Sequence, residues 1–367
     1  MTTKQKALAW QALAVIAAGA VVLWFAHNVV DNLAQRSITF GFGFLFTRAG
    51  FDIPFHLVAW DESFTYGHAL YVAGVNTLFA AALIIILASA LGLALALMRL
   101  SGNPLAVGTA RVLIEVIRNT PQLTQIVFFY LAVLQVLPPM RQSIHVGASI
   151  FLNVRGLYVP APSGTGWDWI VAGTIVIVMI AAVSWRRLGV QVPRLIVLPP
   201  VLLLGLVLAG FTAQWDPPAL KGFNFVGGVR LPPELVALTL GITVYTSAFI
   251  AEIVRAAIMG VHRGQAEAAR SLGLSAAQTM FVVILPQALR ILIPPLTSQY
   301  LNIIKSTTLG AAIAYPEILQ VYARTVLNQS GRAIEVMTLV LGVFLAINLL
   351  ASAAMNAWNR HLTLQGR

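Results

Sequence analysis

Long apolar runs separated by short polar gaps dominate the chain. A helix needs about 20 apolar residues to cross the hydrocarbon core of a bilayer. Eight segments qualify as spans on that basis: 7–27, 69–98, 112–138, 169–185, 195–213, 233–258, 287–313 and 335–358. Helices are the expected form, because lipid offers no partner to a free backbone amide. The pattern predicts an all-α polytopic membrane protein with about eight transmembrane helices. Pro294 and Pro295 predict a break or kink near the start of the seventh span, and Pro121 weakens the third and frees a carbonyl one turn back. The first run follows Lys4 and Lys6 and is a full span with no A-x-A pattern after it, so it reads as a retained helix and not a cleaved leader.

Composition agrees with the pattern. Of 367 residues, 59% are hydrophobic and only 10% charged, well below the quarter or so usual for soluble domains. The net charge of +11 would suggest nucleic acid if it formed a basic stripe, but the basic residues sit in gaps between apolar runs, as membrane anchors do. With the N-terminus inside, the cytoplasmic segments hold Lys4, Lys6, Arg99, Arg111, Arg186, Arg187, Arg194, Arg255, Arg263, Arg270, Arg290, Arg360 and Arg367. The outer loops hold Arg36, Arg48, Arg141, Arg155, Lys221 and Arg230. Thirteen against six predicts cytoplasmic N- and C-termini. The outer loops 28–68 and 139–168 are large enough for small structured caps. There is no cysteine, so there is no disulfide and no thiolate chemistry.

One inner connection, 259–286, is long, polar and patterned. Gly264 is expected to break the end of the sixth span. Gln265 to Leu272 contains good helix formers, and Gly273 stands where a helix usually ends in a left-handed turn. Ser275 with Gln278 three residues later forms a capping box that starts a second helix. The loop is therefore predicted to be two short helices joined at a glycine corner. The first carries small Ala268 and Ala269 between charged Glu267 and Arg270. Small residues permit close approach and charged ones set register, which suits docking and not catalysis.

GQAEAARSLGLS at 264–275, followed by Val283, Leu285 and Pro286, resembles the EAA loop of ABC importer permeases. The family pattern is EAA, three residues, Gly, nine residues, then Ile-x-Leu-Pro. It is matched at Glu267, Ala268, Ala269, Gly273, Leu285 and Pro286, with Val283 in place of isoleucine. Residues 117–122, 243–261 and 285–309 resemble the polar amino-acid branch, with Asn119 where that branch commonly has glycine. The additions resemble the long-permease subgroup of general or acidic amino-acid importers. The resemblance implies a type I importer core at 69–138 and 233–358, with coupling helices in the EAA loop 259–286. It leaves 139–232 as an insertion with two extra spans, 1–68 as a first helix with a periplasmic loop, and 359–367 as a cytoplasmic tail. It also implies an inner-membrane location and transport of polar or acidic L-amino acids. The implied partners are ATPase subunits, a second and distinct permease subunit, a periplasmic amino-acid-binding protein, the amino acid and lipid.

The chemistry missing from the chain fits that picture. A P-loop needs Gly-x-x-x-x-Gly-Lys-Ser/Thr, yet the lysines are Lys4, Lys6, Lys221 and Lys305, and none follows a glycine. The ATP and its Mg therefore belong to a partner ATPase, and this chain is expected to be no enzyme, with no cofactor or metal of its own. Coupling is assigned to Gly264, Glu267, Ala268, Ala269, Arg270 and Gly273. Ionisable residues inside spans are functional candidates by default. Lys305, followed by Ser306, offers an ammonium to a substrate carboxylate, or else a structural ion pair. Glu252 offers a carboxylate to a substrate cation, or else an i,i+3 pair with Arg255. Tyr245, Thr246 and Ser247 lie at a suitable depth, though small polar groups often join helices. Thr120 and Gln122 flank the proline break, where transporters expose backbone to ligands. Arg118 reads either as part of that site or as a snorkelling interface anchor. An ion-coupled secondary transporter would show similar spans and buried charges, but would not need an EAA loop.

Overall fold

The computed structural model describes residues 3–35, 41–147, 149–163, 214–222 and 224–363. The expected spans at 169–185 and 195–213 lie outside the described residues. The expected first span falls in one helix, α1 (Thr3–Gln35), whose apolar side chains Trp10, Leu13, Ile16 and Trp24 are exposed, as suits a lipid-facing surface.

The centre of the bundle is α2 (Tyr66–Leu100) packed along α5 (Pro233–Met259). Both run in the same direction, since Gly92 meets Ile250 and Arg99 meets Glu252. Lipid tails are as apolar as leucine, so helices associate in a membrane by close packing of small residues. Accordingly Ala80, Ala81, Ala88 and Ala96 of α2 are buried against Leu238, Ile242 and Ala251 of α5. At Gly92 the approach is so close that a Cβ would lie 2.7 Å from Ile250 and 2.9 Å from the Ser247 carbonyl.

The third expected span, 112–138, is two helices and not one. They are α3 (Pro104–Asn119), with its N-terminus capped by Asn103 at 2.9 Å from the Leu105 amide, and α4 (Gln122–Val136). The chain is extended at Thr120, as the residue before a proline prefers. α4 runs opposite to α5, with Ile126 against Gly241 and Tyr130 near Glu234.

The seventh expected span also differs from its prediction. α7 (Leu285–Ser306) runs through Pro294 and Pro295 without interruption. The irregular turns lie at its two ends: a π-helical stretch at Thr279–Ile284 and a 3₁₀ stretch at Thr307–Ile313. Prolines are tolerated within membrane helices because packing and local adjustment accommodate the freed groups. α7 is antiparallel to α5, with Ile291 near Gly260 and Gly310 against Leu238. The last helix, α8 (Ala333–Thr363), packs on α7. Among the described residues, four stretches are long and apolar enough to cross a membrane: Tyr66–Leu100, Pro233–Met259, Ala276–Ile313 and Ala333–Ala353.

The bundle end that holds Tyr66 is closed by polar latches. Tyr322 donates to the Tyr66 carbonyl at 2.6 Å, and Tyr315 to the Asn76 carbonyl at 2.9 Å. Asn76 in turn donates to the carbonyls of Phe55 and Pro316. Glu335 accepts from the Gly41 amide at 2.9 Å, which ties the segment before α2 to the start of α8. At this end the all-α expectation is incomplete. The strands β1 (Ile144–Val146), β2 (Ile150–Asn153) and β3 (Gly156–Val159) form an antiparallel sheet. β4 (Ala161–Ser163) pairs with β5 (Gln214–Asp216), and β6 (Ala219–Lys221) pairs with β7 (Asn224–Val226). β8 (Val229–Leu231) then joins β3 to complete the four-stranded sheet.

Candidate functional site

The break between α3 and α4 shapes the middle of the bundle. Pro121 has no amide hydrogen, so the Ile117 carbonyl one turn back loses its helical donor. The side chain of Gln125 fills that vacancy, donating to the Ile117 carbonyl at 2.9 Å and to the Thr120 carbonyl at 3.2 Å. The expectation that the break bares its carbonyls to a ligand is corrected on this point. Thr120 does not line the neighbouring cavity, and its hydroxyl donates to the Val116 carbonyl one turn back at 2.9 Å.

Beside the break lies a cavity of about 260 Å³. The first residue of α4, Gln122, lines it, together with Tyr245, Thr246 and Phe249 from the middle of α5. α7 contributes Gln299, Asn302, Lys305 and Ser306. Ser306 donates to the Gln122 side-chain carbonyl at 3.2 Å, which joins the two walls. Among the described residues, no acceptor lies within hydrogen-bond reach of the Lys305 ammonium, and no carboxylate lines the cavity. The site is thus one cation among neutral donors and acceptors. Five residues singled out from the sequence meet here: Gln122, Tyr245, Thr246, Lys305 and Ser306.

Two other path candidates stand elsewhere. Ser247 is fully buried, bonds the Val244 carbonyl of its own helix at 2.7 Å, and lies where α5 crosses Gly92. Glu252 is held between two guanidinium groups, with Arg255 at 2.8 Å and Arg99 at 3.5 Å. Its carboxylate pairs with cations from two helices and does not line the cavity. Sequence reasoning missed Gln299 and Asn302. The signal was there: polar residues at 299, 302 and 306 recur at i, i+3 and i+7 on one helical face within an apolar span.

At the opposite end from Tyr66 stands α6 (Arg263–Ser271), the first helix of the patterned loop. α5 ends at Met259, and Gly264 lies inside the first turn of α6, its amide bonded to the His262 ring at 3.1 Å. Gly264 is therefore not the breaker of the sixth span. That role falls to the turn at Gly260 and Val261. The C-terminus of α6 forms a complete Schellman motif. Gly273 has φ of 80° and donates to the Arg270 carbonyl at 2.9 Å, while Leu274 donates to the Ala269 carbonyl at 3.2 Å. The capping box is present, with Ser275 accepting from the Gln278 amide and donating its own amide to the Gln278 side chain at 2.9 Å. The second helix is not short, however. It continues through the π stretch into α7. Glu267, Ala268, Arg270 and Gly273 are exposed, whereas Ala269 is buried within the subunit. Leu272, 82% exposed at the corner, is an apolar side chain that the sequence reading passed over.

A helical bundle with a polar cavity at mid-depth and a helix–corner–helix at one end is the build of a membrane translocation subunit. The chain belongs to the family of binding-protein-dependent transport system inner membrane components, whose model matches residues 88–363. It is 46% identical to YhdX of Escherichia coli (strain K12), whose name places it among amino-acid ABC transporter permeases, over 99% of this chain and 95% of that one. It is 40% identical to the general L-amino acid transport system permease protein AapQ of Rhizobium johnstonii, over 99% and 94% respectively. A solved amino acid ABC transporter with histidines shares the fold at a TM-score of 0.50 and 20% identity, covering 81% of this chain and 95% of that one. The protein is accordingly a multi-pass inner membrane component that translocates and is not itself an enzyme. The ion-coupled alternative does not fit this family.

Proposed function

We propose that this chain is the permease subunit of an ATP-driven importer for polar and acidic L-amino acids. In this reading the Lys305 cavity is a station on the path and α6 is the docking element for a separate ATPase that binds ATP and Mg. The observation that carries it is the Lys305 ammonium, which among the described residues has no paired acceptor and shares its cavity with no carboxylate. Such a site favours a ligand with a carboxylate and neutral or acidic side chain, and it offers nothing to a cationic side chain. The names of the relatives YhdX and AapQ support amino acids as the cargo class.

Gln122, Asn302 and Tyr245 orient the ligand by hydrogen bonds while Lys305 neutralises its carboxylate. The exposed charges of α6, Glu267 and Arg270, set the register of the ATPase, and Leu272 supplies an apolar anchor. The Tyr66 end faces the periplasm and receives a binding protein, and the α6 end faces the cytoplasm, with both chain termini there. A second, similar but distinct permease subunit completes the pore and covers the polar face of α7, because lipid cannot satisfy Lys305 and Asn302. Reconstitution with its ATPase and binding protein tests the reading. ATP-dependent accumulation of labelled L-glutamate and L-glutamine well above that of L-arginine is expected. Equal or greater accumulation of L-arginine would overturn it.

A further inference from the structure

Phe249 belongs to two cavities. Phe249 lines the Lys305 cavity and also a second space of about 380 Å³ bordered by Glu115, Arg118 and Asn119. The two spaces take lining residues from the two ends of the α3–α4 break, Gln122 in one and Asn119 in the other. Along α5, Tyr245 precedes Phe249 by one turn and the Glu252 cluster follows it, so the second space is nearer the α6 end. Two side chains pack on the ring: Tyr245 lies 5.0 Å away, centroid to centroid, and the Arg118 guanidinium sits 5.0 Å from the ring centroid.

We propose that Phe249, packed against Tyr245 and Arg118, is the partition that separates the Lys305 station from an inner station at Arg118. An apolar ring at a constriction excludes hydrated solutes by dewetting. A guanidinium over an aromatic face is attracted by the ring quadrupole, so Arg118 holds the ring in the closing position. This deepens the reading of the Lys305 cavity as part of the permeation path and rests on it.

The chain has no cysteine, so introduced thiols report without background. Asn302→Cys marks the first space and Asn119→Cys the second. Each is prepared in the complete complex with its ATPase, in right-side-out and in inside-out vesicles, and exposed to a membrane-impermeant anionic methanethiosulfonate. With Phe249 intact, the two cysteines are expected to react from opposite faces of the membrane. Adding Phe249→Ala should raise labelling from the formerly silent face at least tenfold at both positions. Phe249→Tyr, which keeps the ring, should leave the sidedness as it was. Arg118→Gln, which removes the guanidinium and leaves the ring in place, should give a smaller rise of several-fold and keeps the proposal testable should Phe249→Ala fail to assemble. Labelling of both cysteines from the same face with Phe249 intact would overturn the partition. So would unchanged sidedness in Phe249→Ala or Arg118→Gln complexes that still co-purify with the ATPase. A wild-type complex with the expected sidedness but no amino-acid uptake would count against the cargo assignment and in favour of the partition.

Discussion

The Ser306 hydroxyl donates to the side-chain carbonyl of Gln122 across 3.2 Å, joining the last residue of α7 to the first residue of α4. The bond sits where two irregular backbones meet. α4 begins after the proline break, and α7 tightens into a 3₁₀ stretch immediately past Ser306. Irregular backbone at membrane depth is tolerated where it is buried in protein or lines a polar cavity. Both breaks border the Lys305 cavity, so the same features that interrupt the helices also open the polar space between them.

Replacing Lys305 with methionine removes the cavity's cation at nearly constant length. A hydrogen bond to a charged group is worth about 1.5–3 kcal/mol, and each 1.4 kcal/mol or so is tenfold. Transport efficiency for L-glutamate should therefore fall roughly 10- to 100-fold in complexes that still co-purify with the ATPase. Initial uptake rates against substrate concentration check this, and Lys305→Arg should retain part of the activity.

Glu252→Gln should behave in the opposite way. The carboxylate serves Arg99 and Arg255, and leaving charged partners unmatched costs about 1–3 kcal/mol or more. The expected result is a lower melting temperature of the purified complex and an unchanged KM. A changed KM with normal thermal stability would return Glu252 to the substrate path.

Gly273→Val should uncouple the subunit from its ATPase. The φ of 80° is disfavoured for a residue with a branched Cβ, and placing an ordinary residue in the left-handed region costs about 1–2 kcal/mol. The Schellman turn that aims α6 should loosen, lowering ATPase co-purification. Gly273→Asn, which tolerates this conformation, should be much milder.

These residues mark what was legible in the sequence. Gly273 and the Ser275–Gln278 box were readable because helix ends are decided within a few residues of chain. Pro121 was readable for the same reason. The fate of Glu252 was only half readable: Arg255 is one turn away, but Arg99 comes from a helix 153 positions earlier, and no local pattern announces it. Ser247 lies buried away from the Lys305 cavity because the face it occupies is set by the crossing at Gly92. The β-strands at 144–163 and 214–231 went unseen because strands of three or four residues are too short to show an alternation.

Glu317 gives a pH-dependent prediction at the Tyr66 end, between the last two candidate spans. Its carboxylate accepts from the Leu319 and Gln320 amides, both at 2.7 Å. Burial pushes its pKa up to about 8 despite those two donors, from an ordinary value of 4.5. A raised folded-state pKa means that the folded protein binds the proton more tightly than the unfolded chain does. The stability contributed by this group is complete below pH 4.5 and is lost as pH rises toward 8. The melting temperature of the wild-type complex should therefore fall across that window, and Glu317→Gln should flatten the fall.

Coupling is the central claim, and uptake by the reconstituted complex tests it most directly. Permease, ATPase and binding protein are placed in liposomes, and labelled L-glutamate is followed with and without ATP, and with and without an imposed ion gradient. Accumulation that requires ATP hydrolysis and is lost in a Gly273→Val complex is the predicted result. Accumulation driven by the ion gradient in liposomes that hold this chain without the ATPase would contradict the account.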